Sequence, residues 1–134
     1  MPEELLFEAR ERTTTATVKE FTPMGVRIAY NFQGQVKGKY DATRIETVEA
    51  LLRPDGSGEF EGRIVDLTSD GETVMIPLKG SSKLVNSTTM QVQGTESFLT
   101  GSRRLNWLNS TQGRFEGTFN PESGEVVIKA FARK

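Results

Sequence analysis

The chain has 134 residues, with 17 Lys and Arg against 18 Asp and Glu, and it contains neither cysteine nor histidine. This length fits one domain with its own core, and the nearly balanced charge disfavours nucleic acid and anionic membranes as partners. The missing residue types exclude disulfides, thiol nucleophiles, histidine bases, Ser-His-Asp triads and zinc sites with thiolate or imidazole ligands.

The first ten residues, M-P-E-E-L-L-F-E-A-R, carry acidic side chains where a secretory signal has a basic region followed by an apolar one. No window of the sequence approaches the roughly 18 consecutive apolar residues of a membrane-spanning helix. We therefore expect a cytoplasmic protein.

The N-terminal part of the chain has the character of β-strands. Residues 3–21 include the Thr-rich run T-T-T-A-T-V and predict one long strand, bulged near Glu11. After a Pro-Gly turn, residues 26–33 alternate between two faces, which predicts a half-buried second strand. The residues of its apolar face are Val26, Ile28, Tyr30 and Phe32.

Residues 39–53 fit either a short helix or a strand, because I-E-T-V-E-A-L-L contains helix formers as well as an alternation. The hairpin turn Pro54-Asp55-Gly56 follows at once and favours the strand. Residues 59–67 resume the alternation, and residues 72–80 form a short strand whose Pro77 belongs at an edge or bulge.

The C-terminal part supplies the remaining strands. Residues 83–94 lead into the stretch Gly94–Phe119, in which two strand-like runs flank the connection L-N-W-L-N-S-T-Q-G. The turn Asn120-Pro-Glu-Ser-Gly124 precedes a last strand, E-V-V-I-K-A-F-A-R. This is about nine strand segments without a convincing amphipathic helix.

Turns every eight to twelve residues predict an all-β sandwich or antiparallel barrel. Successive hairpins favour the barrel, because closure removes the exposed edges of so many strands. We predict a single domain over residues 1–134 that forms an antiparallel, eight-stranded (eight to nine strands), calycin-like closed β-barrel.

Glycine and phenylalanine recur together, in Gly58-Glu-Phe60-Glu-Gly62 and in Gly113-Arg-Phe115-Glu-Gly117. In a small barrel this pattern predicts that a bulky ring covers a neighbouring glycine where the sheet coils sharply.

The run Leu108-Asn-Ser-Thr-Gln-Gly113-Arg-Phe115-Glu-Gly117 resembles the T-G-G-x-G-x-F-x-G segment of the allene oxide cyclase and dirigent barrels. The run F-L-T-G-S-R-R-L-N-W-L-N resembles uncharacterised bacterial proteins of the same calycin-like class. The resemblance implies an antiparallel barrel, often oligomeric, whose central cavity binds or cyclises apolar molecules in some relatives. It maps no catalytic residue of the plant cyclases onto this chain.

The candidate ligand-binding residues fall into two sets. Tyr30, Phe32 and Phe115 would line the lumen, although buried aromatic rings ordinarily fill the core. Glu96, Arg103, Arg104 and Trp107 would lie at the barrel mouth. There the guanidinium groups of the two arginines suit a ligand carboxylate, although solvated surface charge is the simpler interpretation. For Trp107, the simpler interpretation is an indole that plugs the end of the barrel.

Carboxylates are the remaining candidates for acid–base chemistry. A glutamate inside an apolar lumen would have a raised pKa and could work with Tyr30 or Tyr40. The alternation more simply places Glu59 and Glu61 on the solvent face. We assign no catalytic residue, no cofactor and no metal, since the sequence lacks a D-x-D-x-D-G loop.

Three functional hypotheses remain open. The first is a non-enzymatic barrel that binds a hydrophobic or amphipathic small molecule, the second a cofactor-independent cyclase or isomerase that acts in the lumen, and the third a solid barrel that serves as a homo-oligomeric interaction protein.

Overall fold

The computed structural model describes residues 3–133 and confirms the predicted all-β fold, a closed antiparallel barrel of eight strands. The strands are β1 (Glu4–Thr22), β2 (Gly25–Gly38), β3 (Ala42–Leu52), β4 (Ser57–Thr68), β5 (Thr73–Asn86), β6 (Thr89–Ser97), β7 (Gln112–Phe119) and β8 (Glu125–Ala132). A short 3₁₀ helix, Asn106–Ser110, lies between β6 and β7. No helix among residues 3–133 is long and apolar enough to cross a membrane.

The two ends of the barrel differ because each strand pairs with its sequence neighbours and β8 pairs with β1. One end, here called the hairpin end, carries the turns that follow β1, β3, β5 and β7. The opposite end, here called the plugged end, carries the connections that follow β2, β4 and β6. The last of these connections buries Leu105 and Leu108 against the core. They plug the barrel at this end.

Residues 42–52 form a strand, so the preference for a strand over a helix was correct. The strand predicted over residues 72–80 corresponds to β5. Its predicted end at residue 80 was wrong, because β5 continues to Asn86. Pro77 lies where the pairing of β5 with β6 is interrupted, between the Leu78–Glu96 pair and the isolated Met75–Leu99 bridge. This position suits a residue that lacks an N–H donor.

Gly80 and Gly94 lie side by side in the sheet and make room for two phenylalanine rings. Phe60 is opposite Gly80, and Phe115 is opposite Gly94. A Cβ atom added to Gly80 would lie 2.8 Å from the ring of Phe60, and one added to Gly94 would lie 2.7 Å from the ring of Phe115. The predicted cover of a glycine by a neighbouring ring is thereby confirmed.

The β1–β2 hairpin projects beyond the closed part of the barrel. The pairing of β1 with β8 ends at Arg12. Register shifts of β1 lie between Leu5 and Phe7, between Thr13 and Thr15 and between Val18 and Glu20, on both sides of the predicted bulge position at Glu11. At the tip of the hairpin, the side chain of Phe21 is 85% exposed.

The interior contains two apolar clusters. The cluster toward the plugged end includes Leu6, Phe7, Val36, Ile76 and Leu108. The cluster toward the hairpin end consists of Phe32, Val48, Met90, Phe119 and Val126. The lumen also holds buried charged side chains and a cavity.

Candidate functional site

A buried ion pair lies inside the barrel. The Arg44 guanidinium on β3 donates from Nε and Nη2 to the two carboxylate oxygens of Asp66 on β4, at 2.7 and 2.8 Å. The Tyr40 hydroxyl donates to Asp66 Oδ2 at 2.5 Å. The side chains of Arg44 and Asp66 are 3% and 0% exposed, so the two charges depend on each other for the solvation that water would otherwise provide.

Three further carboxyl groups are buried in the same lumen, those of Glu11 on β1, Glu46 on β3 and Glu96 on β6. Glu46 follows Arg44 by two residues and therefore points to the same face of its strand. Gly34 is paired with both Glu11 and Arg44, so no side chain of β2 separates them in the sheet.

Several buried oxygen atoms have no hydrogen-bond partner within residues 3–133. They are Oε2 of Glu96 and the hydroxyl oxygen of Ser82. The oxygens of Glu11 have no N–H or hydroxyl partner, but the protonated carboxyl group of Glu46 donates a hydrogen bond to Glu11. Buried polar atoms are ordinarily paired, because leaving one unpaired costs on the order of 1–3 kcal/mol. These atoms are therefore candidate contacts for a bound molecule.

Burial disfavours the ionised form of all three carboxyl groups. It raises the pKa of Glu96 from 4.5 to about 7, while the positive charge of Arg44 acts in the opposite direction. Burial also raises the pKa of Glu11, and burial together with the negative charge of Glu11 raises the pKa of Glu46. Near neutral pH, the lumen therefore holds exchangeable protons.

For Arg44, burial alone would lower the pKa, but the hydrogen bonds and the charge of Asp66 outweigh it and the pKa is raised. The pKa of Tyr40 is raised by burial and by the charge of Asp66. Arg44 therefore stays charged and Tyr40 stays protonated across the physiological range.

A cavity of about 70 Å³ adjoins these carboxyl groups. Glu11, Arg44, Glu46 and Glu96 form its polar part, and the rest of its wall is almost entirely apolar. The cavity extends to the hairpin end, where it is bounded by Tyr30, Leu52, Val92, Met90, Phe119 and Val126. It is much smaller than the roughly 300 Å³ at which pockets for drug-sized ligands begin.

Three aromatic rings form one side of the apolar wall. Tyr30 and Phe32 stack with their ring centroids 5.8 Å apart, and Phe119 meets them edge-on at 5.4 and 6.0 Å. Such contacts hold the rings in fixed orientations, so the apolar wall is defined in shape.

Four of the predicted ligand-binding residues, Tyr30, Phe32, Glu96 and Phe115, line this one cavity. Tyr30 and Phe32 come from β2, Glu96 from β6 and Phe115 from β7, so the closure of the barrel brings them together. Their binding of a ligand stays a prediction.

The other three predicted residues, Arg103, Arg104 and Trp107, belong to the connection at the plugged end and do not line the cavity. Arg104 forms a half-exposed ion pair with Asp70 at 2.7 Å. Trp107 is 38% exposed. The plug is formed by Leu105 and Leu108 in place of the expected indole, because residues three apart share one face of a 3₁₀ helix.

The sequence analysis missed Glu11, Arg44, Glu46, Asp66 and Ser82. One signal could have found Asp66: Phe60 and Ile64 point inward, and a period of two continues through Gly62 to Asp66. The same alternation exposes Glu59 and Glu61, as predicted. It also turns Ile45, Val65 and Leu67 outward, which conceals the buried charges from a search for apolar faces.

No group of three acidic side chains within residues 3–133 has the geometry to hold a metal ion.

The raised pKa of Glu96 predicts a specific dependence of stability on pH. The folded protein holds the proton up to about pH 7, whereas the unfolded chain releases it near 4.5. The free energy of unfolding should therefore fall as pH rises between these values, by up to about 1.4 kcal/mol per pH unit. Replacing Glu96 with Gln should remove this part of the decline and stabilise the protein above pH 7.

The measurement is thermal and denaturant unfolding of wild type and Glu96→Gln across this pH range. Glu61→Gln, on the exposed face of β4, is the matched control and should follow wild type. A Glu96→Gln curve parallel to wild type would contradict the assigned pKa.

Solved structures share this barrel at low sequence identity. A protein of unknown function from Clostridium acetobutylicum ATCC 824 matches with a TM-score of 0.88 and 18% identity, over 100% of each chain. A beta-barrel-like protein from Acinetobacter baumannii AYE matches with a TM-score of 0.87 and 18% identity, over 99% of this chain and 96% of that one. An enzyme from Penicillium herquei matches with a TM-score of 0.70 and 20% identity, over 97% and 93% of the two chains.

No protein-family model matches the sequence, and no curated protein does. At these identities the structural matches establish one thing about the chain, namely its eight-stranded barrel fold.

Proposed function

We propose that this protein binds a small amphipathic molecule in the lumen of the barrel. The observation that carries the proposal is the free, buried Oε2 of Glu96, which lines a cavity together with the hydrogen-bonded carboxyl groups of Glu11 and Glu46. A ligand whose polar end reaches Oε2 of Glu96 would supply the hydrogen bond that this oxygen lacks. Its apolar part would pack against Tyr30, Phe32 and Phe119.

The size of the cavity limits the ligand. About 70 Å³ accommodates a compact molecule or a few waters, so a long lipid chain would need the hairpin end to widen. The sequence predicts an apolar or amphipathic ligand. Within that class, we propose a compact molecule with one polar end.

Filling the cavity should abolish binding. Ala50, on β3, lines the cavity and is 8% exposed, so Ala50→Leu places three more carbon atoms in it. We expect compact amphipathic fragments to shift the amide NMR signals of cavity-lining residues in wild type and to leave those of Ala50→Leu unchanged.

The matched control is Glu49→Leu, which places the same side chain on the exposed face of the same strand and should retain binding. Circular dichroism confirms that both variants are folded, since overpacking costs on the order of 1–3 kcal/mol. If no fragment of a broad panel shifts the cavity signals of wild type, binding in the lumen is refuted.

The second candidate function is proton transfer in the lumen, as in a cofactor-independent cyclase or isomerase. The observation that favours it is Glu96, a buried group beside the cavity whose pKa of about 7 suits a general acid or base at neutral pH. The resemblance to allene oxide cyclase barrels points the same way, and the Penicillium herquei protein with this fold is described as an enzyme.

Exchange of carbon-bound hydrogen tests this candidate. Small ketones and aldehydes incubated with the protein in D₂O should gain deuterium beside the carbonyl group faster than in buffer, because a base in the lumen would remove that proton. Mass spectrometry measures the gain. Glu96→Gln should lose the effect while Glu61→Gln retains it, and equal rates with and without wild-type protein would eliminate this candidate for the compounds tested.

The homo-oligomer expected from the sequence stays a prediction. The observation relevant to it is a row of exposed apolar side chains across the outer faces of β3, β4 and β5 and the β6–β7 connection, formed by Ile45, Val65, Met75 and Leu99.

A further inference from the structure

The lumen has more buried acidic groups than cationic ones. Five charged side chains are buried among the described residues, and Arg44 is the one cation among them. Asp66 engages Arg44 through two hydrogen bonds. The carboxyl groups of Glu11, Glu46 and Glu96 thus have no hydrogen-bonded cation among the described residues, and in these surroundings their negative charge is neutralised either by a proton or by a bound cation.

All three groups line the cavity. Glu11 and Glu46 share a hydrogen bond in which Glu46 is the donor, whereas Glu96 is 7% exposed and its Oε2 has no partner within residues 3–133. A neutral ligand with one hydroxyl group donates one hydrogen bond. A primary ammonium group donates three and also brings a positive charge.

We propose that the ligand is a compact organic cation, a primary amine whose ammonium group binds Oε2 of Glu96 and faces the Glu11–Glu46 pair while its short apolar chain packs against the aromatic wall. This inference rests on the proposed binding of a small molecule in the lumen and names the chemical class of that molecule. The wall suits it, because aromatic rings and the alkyl part of a small amine are both apolar.

Protons and the ligand should compete for the same carboxyl groups. In the empty lumen the glutamates retain protons near neutral pH, and an ammonium group that binds an ionised carboxylate displaces one into solvent. The groups that face this exchange are Glu11 from β1, Arg44 and Glu46 from β3, Asp66 from β4, Glu96 from β6 and Tyr40 from the β2–β3 connection. Binding should therefore strengthen as pH rises, until the amine itself loses its proton near pH ~10.

The test compares n-propylamine with n-propanol, which have the same number of heavy atoms and differ in charge. Binding to the full chain is followed by the amide NMR signals of cavity-lining residues, at about pH 6 and about pH 8. We expect the amine to bind about tenfold more tightly than the alcohol and to bind more tightly at the higher pH. Calorimetry in two buffers of different ionisation enthalpy should detect proton release on amine binding.

Glu11→Gln and Glu96→Gln should each weaken amine binding about tenfold and weaken alcohol binding less, because the Gln amide removes the charge and keeps an acceptor oxygen for a hydroxyl group. Glu61→Gln, on the outer face of β4, should behave as wild type. If a lumen variant fails to fold, the comparison of amine with alcohol and the pH dependence in wild type still decide the question.

If the alcohol and the amine bind equally well, the ligand is not selected for its charge and the proposal of a cation is refuted, while the proposal that the lumen binds a small molecule is retained. Failure of both probes to shift the cavity signals would count against the cation and the lumen site together. Amine binding that Glu61→Gln weakens and Glu96→Gln does not would assign the effect to surface charge and overturn the proposal.

Discussion

The buried pair of Arg44 and Asp66 is the interaction on which the interior of this barrel depends. Two hydrogen bonds join the side chains, and Tyr40 donates a third to the same carboxylate. Removing either partner would leave an uncompensated charge at a cost of about 3–5 kcal/mol. Because the pair comes from adjacent strands, it also fixes the register of β3 against β4.

The pair sets the electrostatics of the remaining lumen. The charge of Arg44 acts to lower the pKa of each neighbouring glutamate, but burial outweighs it and the pKa values are raised. A core of this size could be filled with hydrocarbon, which is often neutral or stabilising when it replaces buried ions. The free Oε2 of Glu96 beside a cavity is therefore more readily explained by the proposed binding than by stability.

Local patterns in the sequence were sufficient to predict the barrel and parts of its packing. Turn residues such as Pro54-Asp55-Gly56 and the alternation of residues 26–33 identified strands, and the Gly–Phe pattern predicted how Phe60 and Phe115 pack. The lumen charges escaped because an apolar face was assumed to point inward, whereas Ile45 points outward and Arg44 inward. Such an inversion depends on what the opposite wall of the barrel places in the lumen, as Glu11 and Glu96 do here, and the pattern of β3 alone does not show it.

Burial in the lumen raises the pKa of Glu11, Glu46 and Glu96, and titration of ¹³C-labelled glutamate carboxyl groups by NMR tests this directly. We expect one resonance with a midpoint near 7, absent from Glu96→Gln, and two more, from Glu11 and Glu46, with midpoints above the ordinary range. Midpoints near the ordinary value of about 4.3 for every glutamate would contradict it.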